Sequence, residues 1–118
     1  MRQNERAAEL ARISAILRNE MALVRNVFAA AAPQGGPVQV SSNNSTQVSL
    51  EHRSSRLTAS CEGGAIRFSD ETGILSEITC RANGVGLVRA ATSVPVDDLT
   101  REAEVVVHGW KSRRGLSQ

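Results

Sequence analysis

The sequence is poor in aromatic residues, which make up 3% of its 118 positions, and it contains no tyrosine. Proteins that bind nucleic acids or sugars commonly stack them on aromatic rings, so this class of binding protein is disfavoured. The core must be built from aliphatic side chains instead. An apolar fraction of 41% against 22% charged residues is typical of one globular domain, spanning residues 1–118.

A strong net charge and a long apolar run are also missing. The formal net charge of +2 is too small to indicate a nucleic-acid or anionic membrane partner. No run reaches the roughly 18 apolar residues that a membrane helix needs. The first residues, MRQNERAAEL, are charged throughout, so neither a signal peptide nor a membrane span is predicted within this sequence.

Motifs for catalysis or cofactor binding are not recognisable. The glycines form neither GxGxxG nor GxxxxGK[ST], and no serine lies in a GxSxG context. His52 and His108 stand in separate segments and there is no CxxC pair, so no metal site is predicted. The neighbours of Asp97 and Asp98 favour a solvated turn over acid–base chemistry. We expect no enzyme activity, no cofactor and no small-molecule substrate.

Residues 7–32 show the period of an amphipathic helix. Apolar residues recur there at spacings of three and four, namely Leu10, Ile13, Leu17, Met21, Val24 and Phe28. The segment AAAAPQGGP ends the helix, because Pro33 cannot continue the hydrogen-bond ladder and the following glycines release the backbone.

Residues 37–110 contain short β-rich runs separated by turn-forming Ser, Asn, Asp and Gly. The runs are PVQVS, QVSLE, RLTAS, AIRFS, SEITCR, GLVRA and EVVVHGW. About seven strands without crossover helices predict an antiparallel sheet. The predicted fold class is therefore α+β, with a long N-terminal helix packed on an antiparallel β domain.

The two cysteines bracket the segment CEGGAIRFSDETGILSEITC. If its strands pair with the reversal at Asp70-Glu71, Cys61 lies directly opposite Cys80, in a position that a disulfide can span. A loop one residue longer would place the two sulfurs on opposite faces. Two buried free thiols are the alternative. A disulfide would indicate an exported domain.

The C-terminal residues 111–118 form a basic tail behind Trp110. Lys111, Arg113 and Arg114 next to an aromatic ring could bind nucleic acid or an acidic partner. A solvated terminus is the commoner arrangement. A small cytosolic nucleic-acid-binding or adaptor module is therefore the alternative function.

Several segments together resemble a known family. These are LARISAILRNEMALVRNVFAAAAPQGGPVQV, GAIRFSDETG followed by SEITCRANG, and VPVDDLTREAEV. The chain resembles the GspH/FimT-like minor pseudopilins of type II secretion systems and type IV pili. In that group an apolar segment precedes the helix and anchors the protein in the bacterial inner membrane.

The resemblance implies a non-enzymatic assembly subunit. Its head domain would lie in the periplasm, its missing N-terminal segment would hold it in the membrane, and its helix would pack against other pilin-like subunits. A nucleic-acid partner is not expected. The residues expected to contact partners are the members of the stripe nearest the anchored end, Leu10, Ile13, Leu17 and Met21.

Overall fold

The computed structural model describes the backbone of residues 2–80 and 86–116, with side chains from residue 5 onward. It contains two helices and a seven-stranded sheet. In chain order the elements are α1 (Arg2–Ala30), β1 (Gln39–Asn44), β2 (Gln47–His52), β3 (Ser55–Glu62), β4 (Ala65–Asp70), β5 (Gly73–Cys80), β6 (Leu87–Arg89), β7 (Pro95–Val96) and α2 (Leu99–Arg113).

The sheet is an antiparallel meander in which each strand pairs with the next along the chain. Short turns make this order possible. The β3–β4 turn consists of Gly63 and Gly64, whose φ angles of 62° and 77° lie in the left-handed region that glycine adopts without strain. The predicted α+β class, with a long N-terminal helix and an antiparallel sheet, is confirmed.

The core lies between one face of the sheet and the two helices. The apolar stripe of α1 from Leu17 to Phe28 is buried against inward-facing residues of β2 to β5. Phe28 and Phe68 make an aromatic contact with ring centroids 6.3 Å apart. Most of the remaining core is aliphatic, as the composition predicts: Val38, Val48, Leu50, Leu57, Ala59, Ile66, Ile78, Leu87, Leu99, Ala103 and Val107.

The opposite face of the sheet is polar. The hydroxyls of Ser49 and Thr58, which face each other on β2 and β3, lie 3.0 Å apart, and Ser42 of β1 donates to Ser49 at 3.3 Å. The sheet therefore has one dry face and one wet face, as the alternation in its strands predicts.

The prediction that EVVVHGW forms a seventh strand is wrong, because these residues lie in α2. The three consecutive valines have high strand propensity, but Leu99, Ala103, Val107 and Trp110 recur at helical spacing and are all buried. Asp98 caps the helix by accepting hydrogen bonds from the backbone N–H groups of Thr100 and Arg101. Tertiary burial and a cap outweigh local propensity here.

The predicted boundaries change accordingly. The helix predicted over residues 7–32 spans Arg2–Ala30, and the β region predicted over 37–110 ends with β7 at Val96. The basic tail predicted over 111–118 begins inside the last turn of α2. The RANG segment lies outside the described residues, as do Ser117 and Gln118.

Candidate partner-binding surface

Two of the four predicted contact residues of α1 are not accessible. Leu17 and Met21 retain 1% and 0% of their surface and belong to the core, so their assignment to a partner surface is wrong. The sheet covers the helix from Leu17 onward. Ile13 is half-buried against the core, whereas Leu10 is 60% exposed. The accessible part of the predicted surface is thus limited to Leu10 and the outer side of Ile13.

The N-terminal part of α1 is exposed, although Glu9 and Arg12 lie near enough to Cys80 of β5 to influence the pKa of its thiol. Every residue from Glu5 to Arg12 is exposed, and the molecule measures 53 × 27 × 22 Å along its principal axes. At 1.5 Å per residue, this segment is roughly 12 Å long. We call residues 5–12 the overhang; its one large apolar side chain is Leu10, in line with the buried stripe.

A second stripe runs along α1, about a third of the way around the helix from the buried one. Its members recur at spacings of four, four, three, four, three and four, and all except the half-buried Arg25 are exposed: Ala7, Ala11, Ala15, Arg18, Ala22, Arg25 and Ala29. We call these seven residues the alanine–arginine stripe. Alanine side chains allow another helix to approach closely, so this stripe is suited to helix–helix packing.

The charges of the alanine–arginine stripe have one sign. Arg25 donates from Nε to Oδ1 of Asn43 on β1 at 2.7 Å, which fixes it against the sheet edge. Two acidic residues of α1 have partners outside the stripe: Glu9 pairs with Arg12 at 2.6 Å, and Glu20 accepts from the backbone N–H of Leu99 at 3.1 Å. The stripe therefore presents a cationic, sterically open surface.

An open groove of about 970 Å³ separates the C-terminal half of α1 from α2. Leu23 and Val27 line one wall, and Val105, which is 60% exposed, lines the other. Arg101 and Lys111 stand at its rim. The groove is therefore lined by both apolar and charged side chains.

The cysteines are free thiols in the structure, and the register that would place them opposite each other is wrong. Cys61 lies on β3 opposite Ile66, and Cys80 lies on β5 opposite Leu87, so β4 separates them. Two strand spacings amount to roughly 9.6 Å, which exceeds the Cα separation that a disulfide tolerates. Burial raises the pKa of the Cys61 thiol, although the nearby Arg18 opposes the shift.

The other polar residues considered from the sequence lie apart from one another. Asp98 is the cap of α2, and Asp97 is exposed beside it. His52 ends β2, whereas His108 is exposed on α2. Among the described residues, no three His, Cys, Asp or Glu side chains are grouped closely enough to hold a metal ion.

The aromatic and basic residues near the C-terminus are part of the packed domain. Trp110 is completely buried, and its indole N–H donates to Ser55 Oγ at 2.9 Å. The Arg114 guanidinium lies 4.9 Å from the centre of the Trp110 ring and pairs with Glu71, while Arg113 pairs with Asp70 at 3.3 Å. The interpretation of this segment as a free basic tail is wrong, and the nucleic-acid alternative loses the residues that motivated it.

Comparisons of the chain with family models, curated proteins and solved structures found no match in any of the three. None of the described helices combines the length and apolarity that crossing a bilayer requires. The fold and the surface of α1 thus define the molecule only as an α+β domain with an overhanging helix.

Proposed function

We propose that this protein is a non-enzymatic assembly subunit, of the minor pseudopilin type, whose head domain lies in the bacterial periplasm. Its α1 helix packs against other pilin-like subunits in a type II secretion pseudopilus or a type IV pilus. An N-terminal segment preceding the described helix would hold the protein in the inner membrane. The resemblance of its sequence segments to that group supports the anchoring and the location.

The observation that carries the proposal is the unequal covering of α1. The sheet buries one face of the helix from Leu17 to Phe28, yet the overhang and all of the alanine–arginine stripe except the half-buried Arg25 are exposed on the same helix. Most helical stability in proteins comes from tertiary packing, and the exposed turns of the overhang have little of it, so a neighbour that packs on them would stabilise them. Such a helix is suited to a repeated contact between subunits.

The proposal changes which residues make the contact. Leu10 and the outer side of Ile13 remain as contact residues, and Ala11, Ala15 and Ala22 replace Leu17 and Met21. Because these alanines are exposed, a larger side chain there leaves the core intact and blocks a close helix approach.

Site-specific photo-crosslinking in the native host tests this contact. A benzoylphenylalanine is introduced at Ala15 or Ala22 of the full-length gene product, with Ser54 in the exposed β2–β3 turn as the matched control. The proposal predicts adducts with pilin-like subunits from the two alanine positions and none from the control.

Two results would refute it. One is a folded, expressed protein that forms no adduct from either alanine position. The other is equal adduct formation from Ser54, which would mean that the alanine–arginine stripe has no special role.

A further inference from the structure

The N-terminal end of α2 is held to the rest of the domain by hydrogen bonds that involve carboxylates. Glu102 retains 7% of its surface and accepts hydrogen bonds from Arg89 of β6 at 2.8 and 3.1 Å. Its Oε2 also accepts from the Ser76 hydroxyl of β5 at 2.8 Å. Glu20 of α1 accepts from the backbone N–H of Leu99. This end of α2 is therefore tied to β5, β6 and α1.

The C-terminal end of α2 is also held by ion pairs, but here α2 supplies the arginines and the sheet supplies the carboxylates. Arg113 pairs with Asp70 at 3.3 Å, and Arg114 lies 3.8 Å from the same carboxylate while also pairing with Glu71. The Asp70 side chain has no exposed surface in this arrangement. Ser55 of β3 donates to Glu71 at 2.9 Å. The C-terminal turn is thus tied to the β2–β3 and β4–β5 turns.

The rest of the domain depends much less on ionised groups. The packing of α1 on the sheet is apolar from Leu17 to Phe28, with the neutral Asn43 as the partner of Arg25. The strands are joined by backbone ladders, and their ion pairs Arg56–Glu51 and Arg67–Glu77 lie on the polar face. Loss of negative charge therefore weakens the attachment of α2 more than the attachment of α1.

The three carboxylates are stabilised in their charged forms. Hydrogen bonding from Arg89 lowers the pKa of Glu102 despite its burial. For Asp70, burial opposes ionisation, but hydrogen bonds from Thr72 and the Arg113 guanidinium lower the pKa overall. The pKa of Glu71 is lowered by its own backbone N–H, by Ser55 and by Arg114, against repulsion from Asp70.

The direction in which pH changes the stability follows from the difference between the pKa of each carboxyl group in the folded and the unfolded protein. A carboxyl group whose pKa is lower in the folded protein adds stability above its unfolded pKa, about 4, and loses it as the pH falls through the folded value. All three groups therefore weaken the attachment in acid, and none weakens it between pH 6 and 8.

We propose that α2 is an acid-releasable clasp. Protonation of Glu102, Asp70 and Glu71 frees α2 from the sheet, while α1 and β1 to β6 remain folded together. Release opens the apolar surface that Leu99, Val107 and Trp110 cover. α2 is also held by apolar packing, since Leu99, Ala103, Val107 and Trp110 belong to the core. The ion pairs at its two ends add to this packing, so their loss lowers the cost of a sub-global opening of α2. This inference does not depend on the proposed assembly function.

The protein contains a built-in reporter for the clasp, because Trp110 is its single tryptophan and lies buried on α2. Trp110 fluorescence and near-ultraviolet circular dichroism report the docking of α2. The amide I infrared band of β-strands, which is separate from the band of helices, reports the sheet. An acid titration from pH 7 to pH 2 is expected to give a Trp110 transition at least half a pH unit above the loss of the sheet signal.

Two variants, Glu102→Gln and Asp70→Asn, test whether these carboxylates cause the Trp110 transition. The matched control is Glu104→Gln, because Glu104 is exposed on the same helix. Each of the first two variants is expected to move the Trp110 transition to higher pH by half a unit or more. The control is expected to stay within about 0.1 unit of the parent protein.

If the Trp110 signal and the sheet signal change at the same pH in the parent protein, the proposal of an acid-releasable clasp is refuted. This titration uses the parent protein alone, so it does not depend on whether a variant folds. Separate transitions that neither variant shifts relative to Glu104→Gln would also overturn the proposal, since the carboxylates would then not be the cause. If one variant fails to fold, the other makes the same test.

Discussion

The same substitution at two positions of one helical stripe separates a core role from a surface role. Leu10 and Leu17 are two turns apart on α1, but Leu17 is 1% exposed and Leu10 is 60% exposed. We predict that Leu17→Ala strongly destabilises the isolated domain and that Leu10→Ala does not.

The magnitudes follow from burial. Truncating a buried leucine to alanine removes its transfer free energy and leaves a cavity, which together cost about 2–5 kcal/mol. Truncating the exposed Leu10 leaves no cavity, and a surface substitution of this kind lowers the free energy of unfolding by about 0.5 kcal/mol or less. With an m-value of about 1.5 kcal/mol/M, a loss of about 3 kcal/mol moves the urea midpoint down by about 2 M.

Urea denaturation followed by Trp110 fluorescence measures both variants directly. The expected result is a shift of about 2 M for Leu17→Ala and less than about 0.3 M for Leu10→Ala, with unchanged m-values. If Leu17→Ala shifts the midpoint no more than Leu10→Ala, Leu17 is not in the core. The sheet would then not cover α1 as described, and the assignment of the overhang would fail with it.

Three further substitutions or treatments test separate contacts. Ser55→Ala leaves the buried Trp110 N–H without its acceptor and should cost about 1–3 kcal/mol in urea denaturation, whereas Ser54→Ala, at an exposed neighbour, should cost almost nothing. Asp98→Ala removes the cap of α2 and should lower stability by about 1 kcal/mol in the same assay, with Asp97→Ala near zero. Iodoacetamide added to the unreduced, denatured protein should give two adducts by mass spectrometry, and a disulfide between the cysteines would give none.

The helix and most strands could be predicted because their apolar residues are periodic and their turns have clear composition. The stripe of α1 shows the period of 3.6 over five turns, and pairs such as Val48 and Leu50 alternate as half-buried strands do. The sequence predicts a strand where α2 lies, because its consecutive valines favour a strand locally. The signals that identify the helix are Asp98 as a cap and the burial of Trp110 on a helical stripe.

The position of Cys61 depended on one detail of strand pairing. Placing it in the same hairpin as Cys80 treats Gly63 and Gly64 as part of a strand, whereas they form the turn between β3 and β4. A turn at that point adds a whole strand between the two thiols. Such a difference cannot be resolved from the spacing of the cysteines, because both arrangements fit the same alternation.

The sequence predicts the partner surface only in part, because it shows which residues form an apolar stripe but not which of them the sheet buries. Which members of a stripe are buried depends on where the sheet lies along the helix, and this is a property of the fold. The alanine–arginine stripe could have been found from the sequence, since Ala7, Ala11, Ala15, Ala22 and Ala29 recur at helical spacing. Alanine is only weakly hydrophobic, so this stripe does not stand out in the apolar periodicity of the helix.

The dimensions of the two layers explain why part of α1 stays uncovered. A helix of 29 residues is about 43 Å long, while seven strands about 4.8 Å apart span about 29 Å between the first and the last. The helix also shares the core with α2, which bonds to β3 through Trp110 and Ser55 and to β5 through Glu102 and Ser76. A sheet of this width cannot bury a helix of this length, whatever its side chains. The overhang is thus a consequence of the architecture, because the helix has more turns than the core of this domain can cover.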